Sequence, residues 1–416
     1  MHLPLVRPIR AGKYRRMDAA PSPAIPPKPQ RIASVDAYRG FVMFLMMAEV
    51  LRIAKVAAGY PESGTWQWLK LNTSHVEWTG CSLHDLIQPS FSFLVGVALP
   101  FSIAARAAKG QSPGVMTLHA CWRAVALVLL GVFLRSVGKA ETNWTFEDTL
   151  SQIGLGYVFL FVLGFTPRRV QWGALGVILI GYWLVWALWP LAPADYDFAK
   201  VGVSAEWLKQ HGLTGFAAHW QKNANAGFEF DQWLGAHVRR AAAFNSGGYL
   251  TLSFIPTLGT MILGLLAGGW LREDRDALWK IARLGAASFL CFAFGVALHA
   301  AGLCPIVKRI WTPSWALFSA GWCFALLAGF FAVMDAWGKR GWAFPLTVIG
   351  MNSMAAYCIA HLFDKFIPDA LKTHLGAGAF DFAGKQFTPL MQGAAVLLIY
   401  WLILFWMYRR KIFLKV

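Results

Sequence analysis

A chain of 416 residues that is 57% hydrophobic, 15% aromatic and only 14% charged, with 21 Trp, falls outside the soluble globular class, in which about a quarter of residues are charged. Its net charge of +17 raises nucleic acid as a partner, but the basic residues lie in separate clusters between apolar runs, which argues against it. The runs are about 18–23 residues long and continuous rather than alternating, so they read as membrane-crossing helices and not as a barrel. The expected fold class is all-α, a polytopic integral membrane helical bundle.

In chain order, residues 1–32 are basic and Pro-rich and read as a disordered cytoplasmic tail. They lack the cleavage pattern of a signal peptide. Residues 33–416 read as one transmembrane domain. Ten spans are expected, at 36–57, 83–105, 117–137, 149–166, 170–190, 249–271, 281–301, 313–334, 345–362 and 389–408. With the tail inside, the clusters at Arg168–Arg169, Arg272–Arg275, Lys339–Arg340 and the carboxyl end fall in the cytoplasm. Both termini then lie there too. A long outer segment, 191–248, separates spans five and six and is expected to lay short helices over the outer mouth. No internal repeat is visible. Cys121, Cys291, Cys323 and Cys358 read as small core residues. Cys81 and Cys304 lie near the outer face, where a disulfide is open but unsupported. No Cys/His spacing suggests a metal.

The polar residues are few, and each has a bland reading beside a functional one. The stretch "SHVEWTGCSLHDLIQPSFSFLVGVALPFSI", from Ser74, puts His75, Glu77, His84 and Asp85 just before a membrane-grade run. Asp85 opens span two, where it either caps the helix or works as machinery. His75 lies ten residues earlier, so the two meet only if the intervening loop folds back. Trp78 fits an interfacial aromatic equally well. In span one, Asp36 and Arg39 are three apart and share a helix face. Glu49 and Arg52 sit deeper, where a charge costs roughly 2.5–3.5 kcal/mol, so they face a polar interior or pair. Lys308 and Arg309 occupy an outer loop against the charge trend. Asn352, Tyr357 and His361 make span nine too polar for lipid, with helix–helix hydrogen bonding as the alternative.

Four stretches, in order, resemble the heparan-α-glucosaminide N-acetyltransferase family of transmembrane acyltransferases. They are "SVDAYRGF" opening span one, H-x2-W-x-G-x4-DL-x2-P-x-F from His75 to Phe91, P-x2-K-x2-WTPSW from Pro305, and "GMNSMAAY" from Gly350. The resemblance covers the chain from about Arg31 onward and implies a bacterial-type member in the inner membrane. It further implies acetyl-CoA as donor, a glucosamine-type amine as acceptor on the periplasmic side, no metal, and a homodimer in membrane lipid. The family's catalytic loop histidine falls on His75, its following aspartate on Asp85, its asparagine on Asn352 and its lysine on Lys308. Trp78, Lys308, Trp311 and His361 are then candidates to contact the sugar, and Asp36 and Arg39 to hold the donor's nucleotide. His84, which no motif claims, reads as structural, and Glu77 is given no role.

Three departures stand out. The lysosomal members' extra luminal portion and span have no counterpart. The acidic Asp-Pro-Glu-Gly lead into span six appears as "FNSGGYL", and the Gln-Arg pair of span four as Gln152-Ile153. The substrate is therefore less constrained than the reaction. A neutral imidazole suits deprotonation of an amine or attack on a thioester, Asp85 suits orienting it, and Asn352 or free N–H groups suit an oxyanion. An amino-sugar transporter and an envelope-polysaccharide O-acetyltransferase are the alternatives.

Overall fold

The computed structural model describes residues 32–414, so the tail expected at 1–32 lies outside the described residues except for Ile32. Helices dominate them, and the sole strand-like pairing among them is an isolated antiparallel bridge between Thr79 and Val307. The helices of the bundle are α1 (Ala33–Met47), α2 (Ile87–Ala107), α3 (Pro113–Ser136), α4 (Thr149–Leu163), α5 (Arg168–Ala187), α6 (Phe254–Leu271), α7 (Ala277–Ala300), α8 (Pro313–Phe331), α9 (Phe344–Met351), α10 (Ser353–Leu362) and α11 (Thr388–Arg409). This is an all-α polytopic bundle.

Seven described helical segments are long and apolar enough to cross a membrane, and an eighth span results if α9 and α10, bent by 68° at Asn352, count together. The other two expected spans are shorter. The first breaks: α1 tightens into a turn at Ala48–Leu51, and Arg52 takes a left-handed conformation (φ 49°) before a short helix at Ile53–Ala57. A turn of this kind frees backbone groups that lipid cannot satisfy, so it belongs where the chain lines a polar interior. The fourth, α4, has 15 residues, about 22 Å at helical rise. Its Asp148 N-cap accepts from Leu150 N and Ser151 N at 3.0 Å, which fixes where it starts.

Apolar faces sort by neighbour. Leu118, Trp122, Val125, Leu129 and Phe133 of α3, and Phe289, Leu290 and Phe294 of α7, are exposed, as lipid-facing stripes must be. By contrast α6 is buried along nearly its whole length. Its glycines allow this, because a Cβ on Gly264 would strike the carbonyl oxygen of Phe93, and one on Gly96 of α2 would strike that of Met261. Backbone-to-backbone contact of this kind is how small residues hold membrane helices together.

Segment 191–248 folds into short helices at Ala205–His211 and Ala226–Gly235 with a turn at Gly215–Trp220. It forms a second apolar core with Trp78, Trp186, Trp220, Phe228, Leu250 and Val307. All six cysteines are free thiols, so Cys81 and Cys304 are not joined.

Gly264→Ala is expected to force α2 and α6 apart and to destabilise the bundle by about 1–3 kcal/mol. A lowered thermal midpoint in detergent measures it; an unchanged midpoint means the helices do not pack this closely.

Candidate functional site

The loop before α2 is folded back by one carboxylate. Asp85 Oδ1 lies 2.8 Å from His75 Nδ1 and 3.1 Å from Lys308 Nζ. Its Oδ2 accepts from Val76 N at 3.2 Å and Ser82 N at 3.1 Å. Ser82 Oγ lies 2.9 Å from the same oxygen and 2.7 Å from Ser74 O, so one proton serves two acceptors. Asp85 is thus not a helix cap, as its position at the start of span two allowed; it faces the loop. The carboxylate is fully buried, and a buried charge needs such a ring of donors.

Lys308 arrives from the loop before α8. The Thr79–Val307 bridge and the Gly80 N to Ile306 O bond at 3.0 Å lay that loop against the His75 loop. Thr312, which caps α8, donates to Pro305 O at 2.7 Å and accepts from Val307 N at 3.1 Å, closing the turn. Arg309 points elsewhere: it donates to Gly247 O at 2.7 Å and Val76 O at 3.1 Å, clamping three segments. Neighbouring cations in sequence therefore divide into one within the site and one that braces it.

Lys308 Nζ also lies 3.0 Å from His75 Nδ1. The triangle resolves with Nδ1–H donating to Asp85, because a bare lone pair facing a carboxylate at 2.8 Å would repel it. Nε2 then keeps its lone pair. Burial pulls the His75 pKa below its usual value, and Lys308 and His84 push the same way; Asp85 opposes them without prevailing. The imidazole is held neutral.

This triangle opens on a cavity of about 520 Å³, within the range of small-molecule sites. Its lining comes from carboxyl ends (Glu49 after α1, Arg135 of α3, His361 of α10) and amino ends (His84 before α2, Asp148 before α4), so an up-and-down bundle gathers them at one end. His84 Nε2 lies 3.2 Å from Glu49 Oε1, and the His75 and His84 rings are 4.5 Å apart.

Glu147 and Arg240 also line the cavity. Arg240 spans Glu147 at 3.5 Å and Asp231 at 3.3 Å, and none of the three side chains is more than 10% exposed. Burial and the charge of Asp231 raise the Glu147 pKa to about 7, with Arg240 and Arg135 only partly offsetting them. Asp231 is raised by burial, against the bonds from Thr251 and Arg240. Among the described residues, no three His, Cys, Asp or Glu side chains converge on a point that could hold a metal.

The structure brings His75, Asp85, Lys308 and His361 together, His361 stacking on Tyr357 at 4.2 Å. It does not bring the other candidates to the cavity lining. Trp78 is buried and donates to Trp220 O at 3.2 Å. Trp311 is buried in a left-handed conformation (φ 49°), its Nε1 donating to Thr260 Oγ1 at 3.1 Å. Asn352 donates to Ile412 O at 2.9 Å and accepts from Leu414 N at 3.2 Å, joining the break between α9 and α10 to the carboxyl-terminal segment. Asp36 and Arg39 pair at 3.3 Å; Glu49 lies thirteen positions after Asp36 in the chain, about 20 Å along a helix axis. Sequence reasoning passed over Arg135, Glu147 and Arg240. The signal for Glu147 was its place just before span four, at the end of the bundle where Asp85 precedes span two.

Lys308→Met removes a cation that opposes the imidazolium, so the His75 pKa is expected to rise. Asp85→Asn removes the anion that favours it, and the pKa is expected to fall. Histidine-labelled protein titrated by NMR in micelles reads both shifts, and two shifts of the same sign would refute the triangle's electrostatics.

Two curated proteins are similar to the chain over nearly its whole length. Human heparan-alpha-glucosaminide N-acetyltransferase is 23% identical over an alignment of 426 positions, covering 93% of this chain and 60% of the relative. The mouse protein of the same name is 22% identical over 424 positions with the same coverage. The chain thus spans about 60% of the length of these curated relatives. No family model matches it. The four motifs in order and this similarity over 93% of the chain both point to the heparan-α-glucosaminide N-acetyltransferases as the proteins it resembles.

Proposed function

We propose that the protein is a transmembrane N-acetyltransferase that moves an acetyl group from acetyl-CoA to the amine of a glucosamine-type sugar. The observation that carries the reading is the His75–Asp85–Lys308 triangle on the wall of a 520 Å³ cavity. It sits in a chain similar over 93% of its length to two proteins named for that reaction. Acetyl transfer to an amine requires a group that removes a proton or bears the acetyl. His75 fits either task, being neutral with Nε2 free, while Asp85 fixes its tautomer and stabilises the imidazolium. In this reading the site lies on the periplasmic side of a bacterial inner membrane. The donor enters from the cytoplasm past Asp36 and Arg39, and the protein works as a homodimer in lipid.

The acceptor's charge has a partner in the same cavity. Glu147 lines it, and among the described residues its carboxylate has no polar partner beyond the 3.5 Å contact with Arg240. A buried carboxylate with spare acceptor capacity suits an ammonium or sugar hydroxyls. Phe244, Asn245 and Tyr249 of "FNSGGYL", the stretch without the family's acidic lead, line the same cavity as Glu147.

The test is detergent-purified protein with labelled acetyl-CoA and glucosamine, wild type beside His75→Ala. Wild type is expected to form N-acetylglucosamine and the variant to lose about 10²–10⁴-fold in rate. Retained turnover in the variant removes His75 from the mechanism. Acetyl found on a hydroxyl by mass spectrometry moves the acceptor from amine to alcohol, and sugar uptake into proteoliposomes without acetyl-CoA replaces the reaction with transport. Glu147→Gln is expected to raise KM for glucosamine about tenfold, the loss of roughly one charge-assisted hydrogen bond, with little change for a neutral aliphatic amine; equal effects on both acceptors would remove Glu147 from sugar recognition.

A further inference from the structure

Two histidine–carboxylate pairs face one cavity, and the acetyl-transfer reading uses only the first. The second is His84 with Glu49, Nε2 to Oε1 at 3.2 Å, with its ring tilted 50° against that of His75 at 4.5 Å between centroids. Both histidines and Glu49 line the cavity. The pair exists because two local features coincide. The break after α1 carries Glu49 out of the helix, and the tight turn at His84–Leu86 sets His84 beside it.

His75 has a shortage that His84 can meet. Its Nδ1 is committed to Asp85, so only Nε2 is available. An Nε2 that forms a bond to the acetyl carbon has no lone pair left for a proton, yet an ammonium must lose one before it can attack. His84 is built the other way about: Nε2–H is held by Glu49, and Nδ1 makes no hydrogen bond with a described residue.

Resting on the acetyl-transfer reading, we propose that His84, oriented by Glu49, is the base that deprotonates the acceptor ammonium while His75 Nε2 carries the acetyl group. In the first half, Nε2 bonds to the thioester carbonyl carbon, the C–S bond breaks, and the leaving thiolate takes a proton from water. In the second half, one ammonium proton passes to His84 Nδ1 and the freed lone pair bonds to the acetyl carbon. The bond from that carbon to Nε2 breaks, its electrons returning to His75. The new amide nitrogen loses its surplus proton to water, and His84 releases the one it took. One thioester and one ammonium become one amide, one thiol and one released proton.

The two halves are read separately, using rapid-quench assays with labelled acetyl-CoA and detergent-purified full-length protein. His84→Gln is expected to form acetyl-His75 within about threefold of wild type, located by peptide mass spectrometry, and to discharge it to glucosamine about 10²–10⁴-fold more slowly at neutral pH. Discharge to methoxyamine, which is already neutral at that pH, is expected to stay near the wild-type rate. Slowing that is equal for both amines means a structural role and overturns the proposal, as does unimpaired discharge to glucosamine. Wild type that makes product with no acetyl-His75 overturns the division of labour but leaves acetyl transfer standing. Wild type that makes neither sinks the acetyl-transfer reading itself. Glu49→Gln, expected to show a smaller loss with the same dependence on the amine, decides the matter if His84→Gln does not fold.

Discussion

The Asp85 carboxylate lies buried where an apolar helix meets a polar loop, and its need for donors organises what surrounds it. Two backbone N–H groups, a serine hydroxyl, an imidazole and an ammonium converge on its two oxygens. Taking one charge of a buried pair away strands the other at a cost of roughly 3–5 kcal/mol, so the loop carrying Asp85 and the loop carrying Lys308 are bound to move as one. The Thr79–Val307 bridge and the Arg309 clamp on Gly247 extend that coupling to segment 191–248. An imidazole bonded through Nδ1 in this frame has its tautomer set by its neighbours rather than by solvent.

Departures from regular helix concentrate where the chain carries polar groups. α1 unwinds where Glu49 and Arg52 occur, the α9–α10 pair bends at Asn352, and α4 is short, preceded by Glu147 and Asp148. Lipid permits irregular backbone only where protein or a wet cavity satisfies it. The buried α6, with its glycines pressed against α2, supplies the rigid counterpart. The bundle is therefore close-packed along α2 and α6 and broken beside the cavity at the turn after α1 and at the start of α4, while the bend at Asn352, away from the cavity, is closed by the carboxyl-terminal segment.

Membrane class, helical fold and the approximate place of each apolar run were legible in the sequence, because hydrophobic length and continuity are local properties that survive folding unchanged. The His75, Asp85 and Lys308 stretches were legible as motifs. Asp85 orienting His75 was an expectation of the resemblance, but Lys308 joining them was not, since residues 75 and 308 come together only through a bridge and a capped turn far apart in the chain. Sequence treated His84 and Glu49 separately, one as structural and the other as a deep charge in need of a partner; the structure makes each the other's partner. Trp78 and Trp311, read as sugar contacts, are packed into apolar cores, because an indole in a motif looks the same whether it holds a ligand or a loop.

What the sequence by itself determined is the set of constraints that each segment obeys alone: which runs suit lipid, which residues bear charge, and where helices start. What only the tertiary structure decided is pairing. It decided which cation faces the site and which braces it, that Asp85 turns toward a loop rather than capping a helix, and that two histidine–carboxylate pairs share one cavity. The reason is physical: a buried charge is tolerated only with its partners around it, and those partners come from parts of the chain whose proximity no local pattern encodes.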